Sequence, residues 1–333
     1  MILKKWYIYL FYIVMQTNLF AQDIHWTQFN QNPLFQNPSH AGSFKGDFRF
    51  ISNYRNQWRS VTVPYSSFNF SYDQKINYSE NLGVGFTFFN DNAGDGKFKT
   101  IELQSNLSYR IKISKQHLIR TGLNIGMNHR QINFSLLSFN NQYNGVTYDA
   151  ALNSNETFTN QQNTNLSIGL GATYYFLQNE KEVLSFGLAC FNINQPNQGF
   201  YNQTIKRDIR YNLFIKGQRK INTLYDILPS FQLNFQGTYK EIILGSSFKY
   251  TMVNEPRKYR ATYIGAWFRN KDAILLTGGI DNQNWFAGVS YDINISKLVP
   301  ASHFRGGFEL SVRYIITSLK PKKIIHRICP DYI

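Results

Sequence analysis

Between Phe48 and Arg59 the chain alternates with a period of two. Read as a strand, this run puts Phe48, Phe50, Tyr54 and Trp58 on one face, and Arg49, Asn53, Arg55, Gln57 and Arg59 on the other. Such a strand needs apolar surroundings on one side and a polar, hydrogen-bonding space on the other. A barrel wall in lipid supplies both. The inner face of a water-soluble sandwich would bury three arginines away from water, where unpaired charge is very costly.

The alternation persists to about residue 317. Ile101, Leu103, Leu107, Tyr109, Ile111 and Ile113 oppose Glu102, Gln104, Asn106, Ser108, Arg110 and Lys112. Leu166, Ile168, Leu170, Ala172, Tyr174 and Phe176 oppose Ser167, Gly169, Gly171, Thr173 and Tyr175. Phe308, Leu310, Val312 and Tyr314 oppose Glu309, Ser311 and Arg313. Breaking the sequence at its turn-rich stretches gives about fourteen segments of roughly ten residues, the length a tilted strand needs to cross a bilayer. They begin near residues 47, 65, 82, 98, 117, 163, 183, 207, 226, 241, 259, 272, 284 and 305. The expected fold is all-β: a transmembrane antiparallel barrel of about fourteen strands over residues 47–317. An irregular arm over 22–46 precedes it and packs in the lumen or on the periplasmic side. This arm lacks any sustained period and carries two turn signals, Asn32-Pro33 and Asn37-Pro38.

Composition agrees with that fold. The mean hydropathy of −0.36 looks soluble, and no apolar run reaches the roughly 20 residues of a spanning helix. A polar inner face lowers the average of any barrel in the same way. Aromatic residues make up 17% of the chain, with 28 Phe and 22 Tyr, which suits aromatic girdles. A secreted β-rich sandwich is the other architecture this composition allows. The N-terminus reads as a leader: Lys4 and Lys5, an apolar core from Trp6 to Val14, then a polar step through Gln16 and Asn18, with cleavage expected after Ala21. Export makes nucleic acid an improbable partner for the net charge of +15. The basic residues are also spread through strands and not gathered on one helix. Two cysteines make no disulfide framework. Cys190 shares a face with Leu184, Phe186 and Leu188, and Cys329 lies in a basic tail that follows Thr317.

An even strand count places both ends on one side, which is the periplasm if the chain is an exported barrel. Each odd-to-even connection then lies outside. The two longest connections, 132–162 and 195–206, both fall in that class, as expected of barrels with short inner turns and long outer loops. The first is rich in Asn, Gln and Tyr and is long for a hairpin; it is either a surface for interaction or a self-packed loop. The tail from residue 318, with Lys320, Lys322, Lys323, His326 and Arg327, falls on the inner side.

No catalytic constellation is present. The histidines show no zinc-ligand spacing, and there is no HExxH, GxSxG or phosphate-binding loop. No cofactor or metal site is expected. Asp91, Asp95, Gly96 and Glu102 fit four positions of a calcium loop, but Ala93 and Lys99 occupy two others. The cationic and polar wall of Arg49, Asn53, Arg55, Gln57, Arg59, Arg110, Lys112 and Arg313 is the candidate site. Its cations either pair with Glu102, Glu309 or Asp73 to fill a lumen, or hold an acidic segment or anions.

The order Gln28-Phe29, Asn32-Pro33-Leu34, Asn37-Pro38 and Ala41-Gly42, then the block Asn53-Tyr54-Arg55-Asn56-Gln57-Trp58-Arg59 with Pro64, resembles the PorP/SprF family; the closing Cys329-Pro330 is also similar. The resemblance implies an outer-membrane barrel of the Bacteroidetes type IX secretion system, linked to gliding motility. It implies a protein that works beside the secretion motor or is dedicated to one secreted adhesin with a type B C-terminal sorting domain. Its expected partners are outer-membrane lipid, such a secreted surface protein and periplasmic secretion components. The resemblance carries over no catalytic residues. The alternative function is a general diffusion porin or an anion-preferring small-solute channel.

Overall fold

The computed structural model describes residues 24–57, 63–76, 81–94, 96–155, 161–179, 182–200, 204–255, 258–297 and 299–317. The leader with Ala21, the residues Trp58, Arg59 and Asp95, and the tail with Cys329 lie outside the described residues.

Fourteen antiparallel strands close into one barrel. They are β1 (Phe48–Gln57), β2 (Tyr65–Lys75), β3 (Leu82–Ala93), β4 (Phe98–Lys112), β5 (His117–Gln131), β6 (Gln162–Leu177) and β7 (Val183–Phe191). β8 (Arg210–Lys220), β9 (Tyr225–Gln236), β10 (Tyr239–Glu255), β11 (Lys258–Arg269), β12 (Ala273–Asn282), β13 (Trp285–Asn294) and β14 (Arg305–Ile316) complete the wall. Each strand pairs with its sequence neighbours, and β1 meets β14 from Phe48↔Ile316 to Gln57↔Gly307. Closure leaves no free edge, so the ladders pair the strands' backbone groups without water. No helix among the described residues is long and apolar enough to cross a membrane; the strands do the crossing.

The period of two becomes an inside and an outside. Glu102, Gln104, Asn106 and Ser108 of β4 are buried, while Leu103, Leu107 and Tyr109 between them are exposed. The outward residues form an apolar belt that includes Phe70, Phe86, Ile125, Leu188 and Ile264, the last 74% exposed in the isolated protein. A belt of that size is a lipid-facing surface and not a water-facing one. Cross-strand aromatic pairs ring one end: Phe50 with Tyr72 at 5.0 Å, Tyr225 with Tyr250 at 5.1 Å and Trp285 with Tyr314 at 4.2 Å between ring centres. This is the girdle that the aromatic content leads one to expect. Cys190 is a half-buried free thiol on β7.

The two ends differ. Even-to-odd connections are tight, as at 113–116 and 283–284. The long connections 132–161 and 192–209 both join an odd strand to an even one, and so leave the barrel at its other end. The wall has one interruption of interest. The β8–β9 ladder skips from Lys216↔Ser230 to Arg219↔Ile227. Pro229, which has no N–H to give, stands in that gap.

Candidate functional site

The arm is built from three short turns: Phe29–Gln31, Pro33–Gln36 and Pro38–His40. Each Asn-Pro pair starts one of the last two. Proline at the first helical position loses an N–H that would have been unpaired there anyway, and Asn37 in extended conformation accepts from the Ser39 amide at 2.9 Å. Turns this short leave most backbone groups without partners inside the arm. The barrel wall supplies them.

Carboxylates receive the arm's amides. Glu309 on β14 accepts from the Thr27 and Gln28 N–H groups at 2.8 and 3.0 Å, and Asp73 on β2 accepts from Gly42 N–H at 2.7 Å. Arginines serve the arm's carbonyls. Arg120 on β5 donates to Ser39 and Ala41, Arg210 on β8 to Phe35, and Arg49 on β1 to His40, at 3.1–3.3 Å. Side chains complete the circuit. Asn37 donates to the Ala172 and Leu188 carbonyls, Gln36 to Gln232, and Phe29 packs edge-on against Trp267 at 5.3 Å. A segment that touches β1, β2, β5, β6, β8, β9, β11 and β14 from their buried faces lies inside the barrel. The arm fills the lumen.

The densest part is a charged clasp. Arg55, 1% exposed, meets Asp292 at 2.7 Å and Glu309 at 3.3 Å. Its Nη1 also donates to the Thr27 hydroxyl, which in turn donates to Asp292 at 2.6 Å. Arg269 reaches the same Asp292 at 2.8 Å. Each charge in the clasp therefore has an opposite charge and a hydrogen bond, the condition under which burying it is tolerated.

The sequence of residues 18–314 matches the family described as type IX secretion system membrane protein PorP/SprF. The chain belongs to the PorP/SprF family. No curated protein matches the sequence. Solved structures match the fold. The Pseudomonas putida toluene transporter TodX is 9% identical with a TM-score of 0.54, over 90% of this chain and 99% of that one. The Ralstonia pickettii toluene transporter TbuX is 8% identical with a TM-score of 0.52, over 85% and 92%. The CymD monoaromatic hydrocarbon channel is 8% identical with a TM-score of 0.50, over 86% and 93%. At such identity these structures share a barrel architecture with the PorP/SprF chain and nothing finer.

The wall residues singled out from the PorP/SprF sequence occupy different places. Arg49 makes two hydrogen bonds to Asp73, each 2.8 Å. Asn53 is fully buried and donates to Ser311 at 2.7 Å; Gln57 accepts from Arg55 at 3.1 Å. Arg313 bridges Asp281 at 2.9 Å and the arm's Gln31 at 3.3 Å. Arg110 is half-buried and donates to Asn81 at 3.2 Å, and Lys112 is exposed at the last residue of β4. Tyr54 faces outward at 40% exposure, where its hydroxyl accepts from Asn56. Glu102, one of the residues matching a calcium loop, accepts instead from Arg207 at 2.8 Å and from Gln104 at 2.9 Å. Asp91 accepts from Ser67 at 2.5 Å.

Sequence reasoning missed Arg120, Arg210, Arg269 and Asp292. The signal for them was parity within their own strands: Arg120 alternates in phase with Asn124 and Asn128, and Asp292 with Ser290 and Asn294, all buried. Gly122 was missed too. A Cβ at Gly122 would lie 2.2 Å from the Ser39 amide nitrogen, so only glycine lets the arm lie against β5. Gly122→Ala is expected to destabilise the barrel by about 1–3 kcal/mol through forced displacement of the arm. Gly278→Ala, which meets nothing within 4 Å, is expected to change little. Thermal unfolding of the two variants in detergent checks this pair.

The arm has a direction. His25 lies 3.9 Å from Glu241 near the start of β10, at the end of the barrel with the long connections. Ala41 and Gly42 lie against Gly83 and Gln74 at the opposite end. A cavity of about 490 Å³ remains above the arm at the long-loop end, between His25, Arg55, Arg269, Asp292 and the 270–272 and 295–304 connections. A second of about 300 Å³ lies beside Phe29, Lys216, Trp267 and Arg313.

Proposed function

We propose that this PorP/SprF barrel binds a secreted surface protein at the outer membrane and neither conducts solute nor catalyses a reaction. The observation that carries the reading is the filled lumen: the wall charges that would line a pore are engaged with the arm or with one another. The cargo class the family suggests is a large surface protein, such as a gliding adhesin with a type B C-terminal sorting domain, and periplasmic secretion components would meet the tight-turn end. The long connections face outward by the rule of short inner turns. The 132–161 connection presents Tyr143, Val146 and Tyr148, the middle one 81% exposed. Exposed aromatic and apolar side chains on an outer loop are what a partner's anchor residues pack against.

The test compares the cell-surface proteome of a deletion strain with its parent. Loss of one or a few large surface proteins is the expected result and names the cargo. Loss of every type IX substrate would move the protein into the core machine. An unchanged surface would overturn cargo binding. With wild-type cargo in hand, Tyr143→Ser with Tyr148→Ser is expected to weaken retention by about ten-fold or more, as for loss of interface anchors. Quantifying cargo shed into the medium checks it.

A further inference from the structure

We propose that the outer vestibule, the cavity of about 490 Å³ above the arm, is a receptor for an acidic, carboxylate-bearing segment of a polypeptide. The inference rests on the reading of this barrel as a cargo binder and names the chemistry of what is bound. The floor of the vestibule is Arg269, only 3% exposed. Two of its three nitrogens are used: Nε donates to Asp272 at 2.5 Å and Nη2 to Asp292 at 2.8 Å. The third, Nη1, is buried without a hydrogen-bond partner. A guanidinium donor left unused in a protein interior is costly.

The carboxylates of the vestibule are already engaged. Asp292 is held by Arg55 and Arg269, Asp272 by Arg269, and Glu241 by Asn234 at 2.6 Å. The ammonium groups at the rim are not. Lys271 on the 270–272 connection and Lys297 on the 295–304 connection are exposed and have no carboxylate within ion-pair distance among the described residues. Both line the cavity. A buried planar donor below and two free cations above form a graded site. Rim cations draw an acidic segment in and hold its carboxylates at the mouth of the cavity, above the buried Arg269 guanidinium. The volume lies in the range of sites that enclose a drug-sized ligand, so a few residues of an extended chain fit and a folded domain does not.

The probe is a fluorescent hexaglutamate peptide titrated against the purified full-length barrel in detergent, with hexaserine and hexalysine for comparison. Hexaglutamate is expected to bind, and raising salt from about 0.05 M to about 0.5 M is expected to weaken it strongly. Lys271→Glu with Lys297→Glu is expected to weaken it by about ten-fold or more. These two side chains are exposed, so the double variant is expected to fold as the parent does. No binding of hexaglutamate above hexaserine, or equal binding by the double variant, overturns the proposal. The same variant in cells separates the two readings. Cargo lost from the deletion strain and from the variant supports both. Cargo lost from the deletion strain and retained by the variant overturns the vestibule and leaves cargo binding standing. Cargo unaffected even by deletion ends the cargo reading, and the peptide titration then decides the vestibule alone.

Discussion

Deleting residues 24–43 is expected to turn a silent barrel into a conducting one. In planar bilayers the intact protein should show almost no current, and the deletion variant discrete, long-lived open steps. A closed barrel of this size has a lumen wider than its own wall side chains fill, because diameter grows with strand number. Here the arm occupies it. Removing the arm also frees Arg49, Arg120 and Arg210 from the carbonyls they now serve. The open variant should therefore prefer anions, as rings of Arg and Lys do elsewhere. A reversal potential measured across a KCl gradient gives the sign. Retained resistance to unfolding in detergent would show that the wall survives the deletion. Ready conductance by the intact protein would instead favour the diffusion-porin reading.

The second large effect is expected at Arg55. Arg55→Met leaves Asp292 and Glu309 buried on the hydroxyl and the amide of Thr27 with one cation fewer. Breaking a buried charge set by removing one partner costs about 3–5 kcal/mol, mainly through the charge left behind. Glu309→Gln combined with Arg55→Met removes part of that uncompensated charge and should recover part of the loss. Lys271→Met, an exposed change, is expected to stay within about 0.5 kcal/mol of the parent. Urea unfolding of the four proteins in lipid vesicles gives the comparison.

How much of this was legible in the sequence depends on what kind of information each feature needs. Strand starts at 65, 82, 98, 117, 183 and 305 coincide with the observed elements, and that of β8, expected near 207, falls at 210. Alternation against lipid is a local signal, repeated often enough to be read without the fold. The class of connection that holds the two long loops was legible for the same reason. The pairings were not. Arg55 and Asp292 are 237 residues apart, and their meeting depends on barrel closure and on the arm between them. Parity tells which face a side chain takes but not at what height. Lys112 shares the parity of Gln104 and Ser108, yet it ends β4 and is exposed, because the buried level stops short of that rim. The arm was visible as two Asn-Pro turns, and its place in the sequence was clear. Its path was not, because a segment without a period reports nothing about what surrounds it. The glycine at 122 illustrates the point: its lack of a side chain answers to Ser39, a residue far upstream.

Glu309 gives the assembly of this protein an order. It belongs to the last strand, and it holds the amides of Thr27 and Gln28, among the earliest residues of the arm. The same strand seals the seam with β1. Synthesis thus supplies the stopper long before it supplies the latch. A chain halted short of β14 has an open edge and an unlatched stopper at once, two defects arising from one missing piece. Completion of the final hairpin is the single event that removes both. An unfinished copy is thereby defective at its seam and in its lumen together, and only a chain that includes β14 presents a closed wall to the membrane.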